Sequence, residues 1–343
     1  MANSVPDTAN SVPYNIIGRY FLLVSVLPSL LLIAWIAFLS NSEAWTETPK
    51  WSKSVTFFSE ISLGEALLLI ALAIVIAAVL HPLQFLLVQT LEGYWGSSEP
   101  AVRIRALCVM KHRARREALI DNQEKATPAL ENAKEFSQIR LHTVIDETDR
   151  ELEYYPRTPD LVMPTRLGNV LRRHETDAGA EYGLIGFTGH LAQVAPPEQV
   201  AYLNDQRTAV DLAVRCCLVA LLGTSAAVLF LWQHGMWLLV ALVPYLLAYL
   251  SYRGSIVASR HYGRALATLV DLNRFALYER LRLELPTDTQ QERELTERLS
   301  RLALLHSEDE NVPYAIQSSQ STPAKPLVTG SATAQGAPSP DTP

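Results

Sequence analysis

The chain carries none of the compact catalytic signatures: no GxSxG elbow, no HExxH helix, no Walker loop and no GxGxxG turn. This removes the sequence grounds for a serine hydrolase, a zinc peptidase, a P-loop nucleotidase or a dinucleotide enzyme. A non-enzymatic protein with no cofactor and no metal is the expectation. Cysteine is scarce, with Cys108, Cys216 and Cys217 the only three in 343 residues. They show neither metal-ligand spacing nor a CxxC pair, and the adjacent Cys216 and Cys217 leave a helix on different sides. They read as buried or lipid-facing thiols. Positive charge is also in deficit, 29 Lys and Arg against 35 Asp and Glu for a net charge of −6, so no nucleic-acid partner is expected.

Charge is missing locally as well. Residues 20–39, 66–88, 212–232 and 236–250 are apolar, and Arg215 is the one formally charged side chain among them. Crossing a bilayer takes about 20 such residues at a rise of about 1.5 Å each. The four stretches come as two pairs separated by more than a hundred charged, solvent-like residues. The expected fold is all-α: a four-helix transmembrane bundle of two hairpins, with a helical module outside the bilayer and a disordered C-terminal tail. Ser42-Glu43-Ala44 resembles a signal-peptide cleavage site, but an apolar run of about 20 residues exceeds a signal peptide's apolar region of roughly 7–15, so the first span is expected to be retained.

Lys and Arg set the expected orientation. Arg103, Arg105, Lys111, Arg113, Arg115 and Arg116 follow the second span with no acid among them. Arg253, Arg260 and Arg264 follow the fourth, and Arg19 precedes the first. The loop joining spans one and two sets Lys50 and Lys53 against Glu43, Glu47 and Glu60, and Gln233-His234-Gly235 carries neither Lys nor Arg. Both termini and the central segment are therefore expected on the cytoplasmic side of the cell membrane. Trp45, Trp51, Trp232 and Trp237 would mark the outer interface, and Tyr94 and Trp95 the inner one.

This gives an N-terminal tail at 1–15, a first hairpin at 16–95, a central helical domain at 96–207, a second hairpin at 208–254, C-terminal helices at 255–306 and a tail at 307–343. Within the central domain, 98–155 reads as a helical hairpin broken near Ala126-Thr127-Pro128, with one narrow apolar stripe that needs a partner. Thr165 is placed to cap a short helix ended by Gly179 and Gly183, and Pro197 to open a helix running directly into span three. Val257 to Leu285 reads as helix up to Pro286, and 290–305 as another carrying Leu295, Leu299 and Leu302. The tail is too rich in Ser, Thr, Pro, Ala and Gly to bury a core.

Polar residues inside apolar spans cost free energy, which makes them the first functional candidates. Span two holds His81-Pro82-Leu83-Gln84, with Gln89 beyond it. Pro82 cannot donate to the Ala78 carbonyl, so a kink is expected there. The freed carbonyl with His81 and Gln84 would suit a cation, a proton or a polar headgroup; otherwise both side chains bind neighbouring helices and hold the bundle together. Asp211 and Arg215, four apart with the acid first, read as a mutually neutralising pair. Arg103, Arg105, Lys111, Arg113, Arg115 and Arg116 form a candidate contact for anionic lipids, or serve only to fix topology.

Three segments carry a family resemblance: HPLQFLLVQTLEGYWG leaving span two, PTRLGNVLRRHETDAGAEYGL in the middle and HYGRALATLVDLNRFALYERLRLELP after span four. Together, over residues 15–305, they resemble a group of uncharacterised actinobacterial integral membrane proteins with the same two-plus-two layout. The resemblance implies a bacterial inner-membrane location and assigns no site residue. The expected role is a membrane scaffold or sensor component whose cytoplasmic helices bind a partner protein or self-associate. The alternative is an oligomeric transporter or channel subunit built around His81 and Gln84. A membrane-embedded enzyme would need a constellation the sequence does not contain.

Overall fold

The computed structural model describes residues 20–45, 47–131, 134–177 and 184–305. Arg19, Gly179, Gly183, His306 and both expected tails lie outside them. Eleven α-helices carry the described chain, and no β-strand is found among its residues. Four helical stretches are long and apolar enough to cross a membrane: Phe21–Asn41, Leu63–Leu80, Pro197–Leu231 and Gly235–Arg280. Each overlaps one of the four apolar stretches of the sequence, although Leu63–Leu80 takes up only the first part of 66–88.

Helix α1 (Phe21–Asn41) opens with a π-helical turn over Phe21–Val26 before Pro28 enters at the start of regular α-helix. After α2 (Trp51–Ser59) comes α3 (Leu63–Leu80). Its start is fixed by a capping box: Ser62 accepts from the Glu65 backbone, and the Glu65 carboxylate accepts from the Ser62 N–H. Helix α4 (Gln84–Glu92) ends at Gly93, whose φ of 106° is the left-handed stop that a glycine supplies without strain. Helices α5 (Glu99–Glu131) and α6 (Glu135–Leu152) form an antiparallel pair. Helices α7 (Arg166–Asp177) and α8 (Thr188–Val194) precede the two longest, α9 (Pro197–Leu231) and α10 (Leu242–Arg280). Helix α11 (Thr289–Leu305) completes the described chain.

Helices α9 and α10 form the spine. At about 1.5 Å per residue they extend roughly 50–60 Å, far beyond the ~30 Å of a hydrocarbon core. They pack against each other more extensively than any other pair. Three apolar clusters lie along them in sequence order. At one end Ala227, Leu231 and Ala241 meet Leu39 and Ala44 beside Trp35 and Trp51. In the middle Val210, Val214 and Ile256 meet Leu167 and Val170 of α7, with Leu87, Val88 and Leu91 of α4. At the far end Leu203, Leu266, Leu269 and Leu277 pack with Leu191 of α8 and Leu299 of α11. Helix α1 packs on α3 and α9, and α3 buries only Ala73 and Ala77. Trp51 and Trp237 meet edge-on with ring centroids 5.4 Å apart, and Trp45 meets Phe230 at 5.3 Å, so the four tryptophans gather at one end.

Several boundaries move from their expected places. Helix α5 passes through Pro128 to Glu131: a proline this close to the helix end removes one amide donor, that to the Glu124 carbonyl, and leaves the preceding turns bonded. Span four begins as a tight 3₁₀ segment, Gly235–Ala241, and then continues as α10. Helix α10 stops at Arg280 rather than at Pro286. Leu283 N–H donates to the Tyr278 carbonyl at 2.9 Å and Arg282 N–H to Glu279 at 3.0 Å, a Schellman turn that needs the left-handed φ of 56° at Arg282. The buried Leu283 side chain holds that turn against the core. The cap at Thr165 and the continuous helix from Pro197 form where the sequence places them.

Candidate functional site

Pro82 divides the second apolar stretch as its missing N–H requires. Leu83 N–H falls back to the Leu80 carbonyl at 3.1 Å and Gln84 N–H to the His81 carbonyl at 3.1 Å, so α3 ends and α4 restarts on a new axis. This break points Gln84 into the interior, where it is buried, while His81 stays on the exposed side. The His81 ring meets Tyr20 and Phe21 edge-on, with centroids 6.1 and 5.5 Å away, and its Nδ1 lies 3.3 Å from Ser25 Oγ.

Gln84 is the centre of a buried polar chain linking α4 to α9. Its Oε1 accepts from Arg215 Nε at 2.9 Å and from Arg215 Nη2 at 2.7 Å. Its Nε2 donates to the Asp211 carbonyl at 3.0 Å and reaches Asp211 Oδ1 at 3.4 Å. Arg215 Nη2 also donates at 3.1 Å to the Leu80 carbonyl, at the last residue of α3. Tyr20 OH donates to Asp211 Oδ2 at 2.8 Å, which brings in the start of α1. Arg215 is 1% exposed and its Nη1 has no hydrogen-bond partner among the described residues.

The expected direct pairing of Asp211 with Arg215 is therefore corrected. The ion pair that Asp211 makes is with Arg207, at 4.0 Å, and the Gln84 amide stands between Asp211 and Arg215. An amide suits this place: its carbonyl end faces the guanidinium and its N–H end faces the carboxylate side. Of the two chemistries the sequence leaves open at His81 and Gln84, Gln84 takes up interhelical bonding. Sequence reasoning missed Tyr20 and Ser25, whose signal was a hydroxyl in an apolar helix, and it missed the central place of Arg215.

A second joint lies at the far end of α4. Thr165 Oγ1 donates to the Glu92 carbonyl at 2.9 Å and accepts from Gly168 N–H at 3.0 Å, so one hydroxyl caps α7 and ties it to α4. The approach is close enough that a Cβ on Gly168 would sit 2.1 Å from the Glu92 carbonyl oxygen. Burial first, and the nearby Glu175 carboxylate second, push the Glu92 carboxyl up to about 7 against the opposing pull of Arg172. Arg172 pairs with Glu175 at 3.2 Å and donates to Tyr94 OH at 2.6 Å. Burial also raises Glu175.

The basic run is largely occupied inside the protein. Arg113 pairs with Asp160 at 3.5 Å and Arg115 with Glu151 at 3.1 Å, while Arg116 donates to the Pro156 and Arg157 carbonyls. These ties fold the 156–160 connector back along α5. Arg103 makes only an exposed pair with Glu99, and Arg105 and Lys111 have no partner among the described residues. Among the described residues no group of three or more His, Cys, Asp or Glu side chains is placed to hold a metal ion. No family model, no curated protein and no solved structure matches the chain.

Proposed function

We propose that the protein is a multi-pass membrane scaffold or sensor component of the bacterial cell membrane, built on two transmembrane hairpins, with its helical module on the cytoplasmic side. The continuity of α9 and α10 carries this reading. Helix α9, and the 3₁₀ segment Gly235–Ala241 with α10, each run on from an apolar stretch into the polar module, where α8 and α11 pack on them. Helices α5 and α6 extend from this body as an arm, and the first turns of α6 present Phe136 and Ile139, 83% and 63% exposed. Such an arm suits self-association or capture of a protein partner, and the unbroken spine would couple it to the spans. The Lys and Arg bias places arm and module in the cytoplasm.

The transporter reading has less support, because Gln84 already uses both ends of its amide on Asp211 and Arg215. A photo-crosslinking residue at Ile139 in cells tests the choice. A defined adduct, to a second copy or to one protein, that disappears in Phe136→Glu is the expected result. No adduct along the arm, together with loss of an ion or proton flux in a folded His81→Ala variant, would replace the scaffold with the transporter. A cysteine-reactive probe excluded by the membrane should label Glu124→Cys and His234→Cys from opposite sides.

A further inference from the structure

The opening turns of α5 carry a surface that their ion pairs do not explain. Val102, Ile104, Leu107 and Met110 are 48%, 53%, 66% and 64% exposed. At 100° per residue, Val102, Ala106, Met110 and Leu107 fall within about 140° of the helix circumference. On the same wheel Arg103 lies inside that sector with its exposed partner Glu99, Lys111 lies about 40° beyond it, and residues 103–116 contain no acid. The opposite side of the same turns is part-buried, through Ala101, Arg105, Cys108 and Val109.

Large contiguous apolar patches on a helix are unusual unless something covers them. The chain itself indicates what does. Six residues, 93–98, separate the end of α4 from α5, and they span at most about 24 Å fully extended. Tyr94 and Trp95 lie within them, with the Trp95 indole donating to the Thr90 carbonyl at 2.9 Å. The interfacial aromatics Tyr94 and Trp95 thus stand five and four residues before Glu99, and the start of α5 is kept within about 24 Å of the end of α4. Arg103 in the sector and Lys111 beside it suit phosphates there: Lys111 has no partner among the described residues, and the Arg103–Glu99 pair is too exposed to hold Arg103 firmly.

We propose that the first three turns of α5 lie on the surface of an anionic bilayer, with Val102, Leu107 and Met110 in its interface and Arg103 and Lys111 at its headgroups. This rests on the reading that α1, α3, α9 and α10 cross that bilayer. It narrows the lipid contact from the whole basic run to two of its members and adds an apolar face. The geometry is that of an interfacial amphipathic helix, anchored at one end by a span.

Nitroxide labels on the full-length protein test it, in nanodiscs of phosphatidylcholine and phosphatidylglycerol. Cysteines at Leu107→Cys or Met110→Cys, each in a chain with its native cysteines replaced, are compared with Leu72→Cys in α3 and Glu124→Cys farther along α5. Labels at 107 and 110 are expected to be oxygen-accessible like the one at 72, and the label at 124 to be accessible to aqueous nickel. Labels at 107 and 110 that behave like 124 while 72 stays oxygen-accessible would overturn the surface helix and leave the spans standing. An aqueous label at 72 would overturn both. Spin–spin broadening at 107 or 110 that vanishes on dilution with unlabelled protein would assign the face to a second copy instead. Arg103→Glu with Lys111→Glu should shift both labels toward nickel accessibility, and no shift would refute the headgroup contacts.

Discussion

Replacing Gln84 with leucine keeps its approximate volume and removes the one group that satisfies both Arg215 and the Asp211 backbone. Two charge-assisted bonds, at 2.9 and 2.7 Å, and one amide bond at 3.0 Å disappear. Arg215 is left with the Leu80 carbonyl alone, its Nη1 being already without a partner. Stranding a buried charge costs about 3–5 kcal/mol in soluble interiors, whereas interhelical bonds within membranes average about 0.6 kcal/mol. The site combines an ion with a shared acceptor, so we expect about 2–4 kcal/mol. Arg215→Leu should also destabilise, by baring the Gln84 and Leu80 oxygens. The double variant removes donor and acceptor together and should recover about 1–3 kcal/mol relative to the sum of the singles. Thermal unfolding of the purified protein, followed by tryptophan fluorescence, reads this as a Tm for Gln84→Leu lower by about 3–6 °C. Strictly additive single effects, or a neutral Gln84→Leu, would show that the amide is not the bridge between the two charges.

Glu92 protonates in the fold near 7 instead of 4.5, so it costs nothing at low pH and its penalty grows as pH rises through that window. Glu92→Gln should therefore leave stability nearly unchanged at pH 4.5 and raise it at pH 8; the full shift corresponds to about 3 kcal/mol, and screening at a part-exposed site reduces the gain to about 1–2 kcal/mol. A Tm gain that is the same at both pH values would remove the argument. Gly168→Ala pushes a Cβ to 2.1 Å from the Glu92 carbonyl oxygen and should cost about 1–3 kcal/mol in the same assay, with the joint opening as increased hydrogen exchange in α7. Arg282→Gly relieves a left-handed φ of 56° and should stabilise by about 0.5–1 kcal/mol, provided the Schellman bonds of Leu283 and Arg282 persist.

The four apolar stretches, the proline break and the helix starts at Thr165 and Pro197 are legible because each depends on a local cause. Hydropathy fixes a span, a missing N–H fixes a break, and a hydroxyl fixes a cap. Partner choice is not local. Asp211 and Arg215 have helix-pair spacing, yet a side chain 127 residues from Asp211 in sequence intervenes, which no periodicity encodes. Likewise Arg113, Arg115 and Arg116 read as a cationic surface until the 151–160 segment returns to take them. The stop of α10 was misplaced because Pro286 is the obvious breaker. The actual stop uses an arginine where a glycine would signal it, held by burial of Leu283.

The same distinction explains how the second apolar stretch divides. Helix α4 is held at its start by Gln84 to α9 and at its end by the Glu92 carbonyl to α7, and between these its apolar side joins the middle cluster. Helix α3 meets α1 chiefly through Ala73 and Ala77 and leaves Leu67, Leu68, Val75 and Val79 exposed. One stretch of sequence thus belongs to two bodies: α4 is fixed to the α7–α9–α10 spine, and α3 is packed on α1. The segment between them, His81–Leu83, has lost regular helical bonding to Pro82, so bending there breaks no further α-helical bond. Among the described residues, the side-chain hydrogen bond that joins the spine to the end of α3 is the one from Arg215 to the Leu80 carbonyl. Arg215 is bonded both to Gln84 of α4 and to the Leu80 carbonyl of α3, so one guanidinium ties the two halves of the second stretch to α9, beside the packing of α1 on α3 and α9.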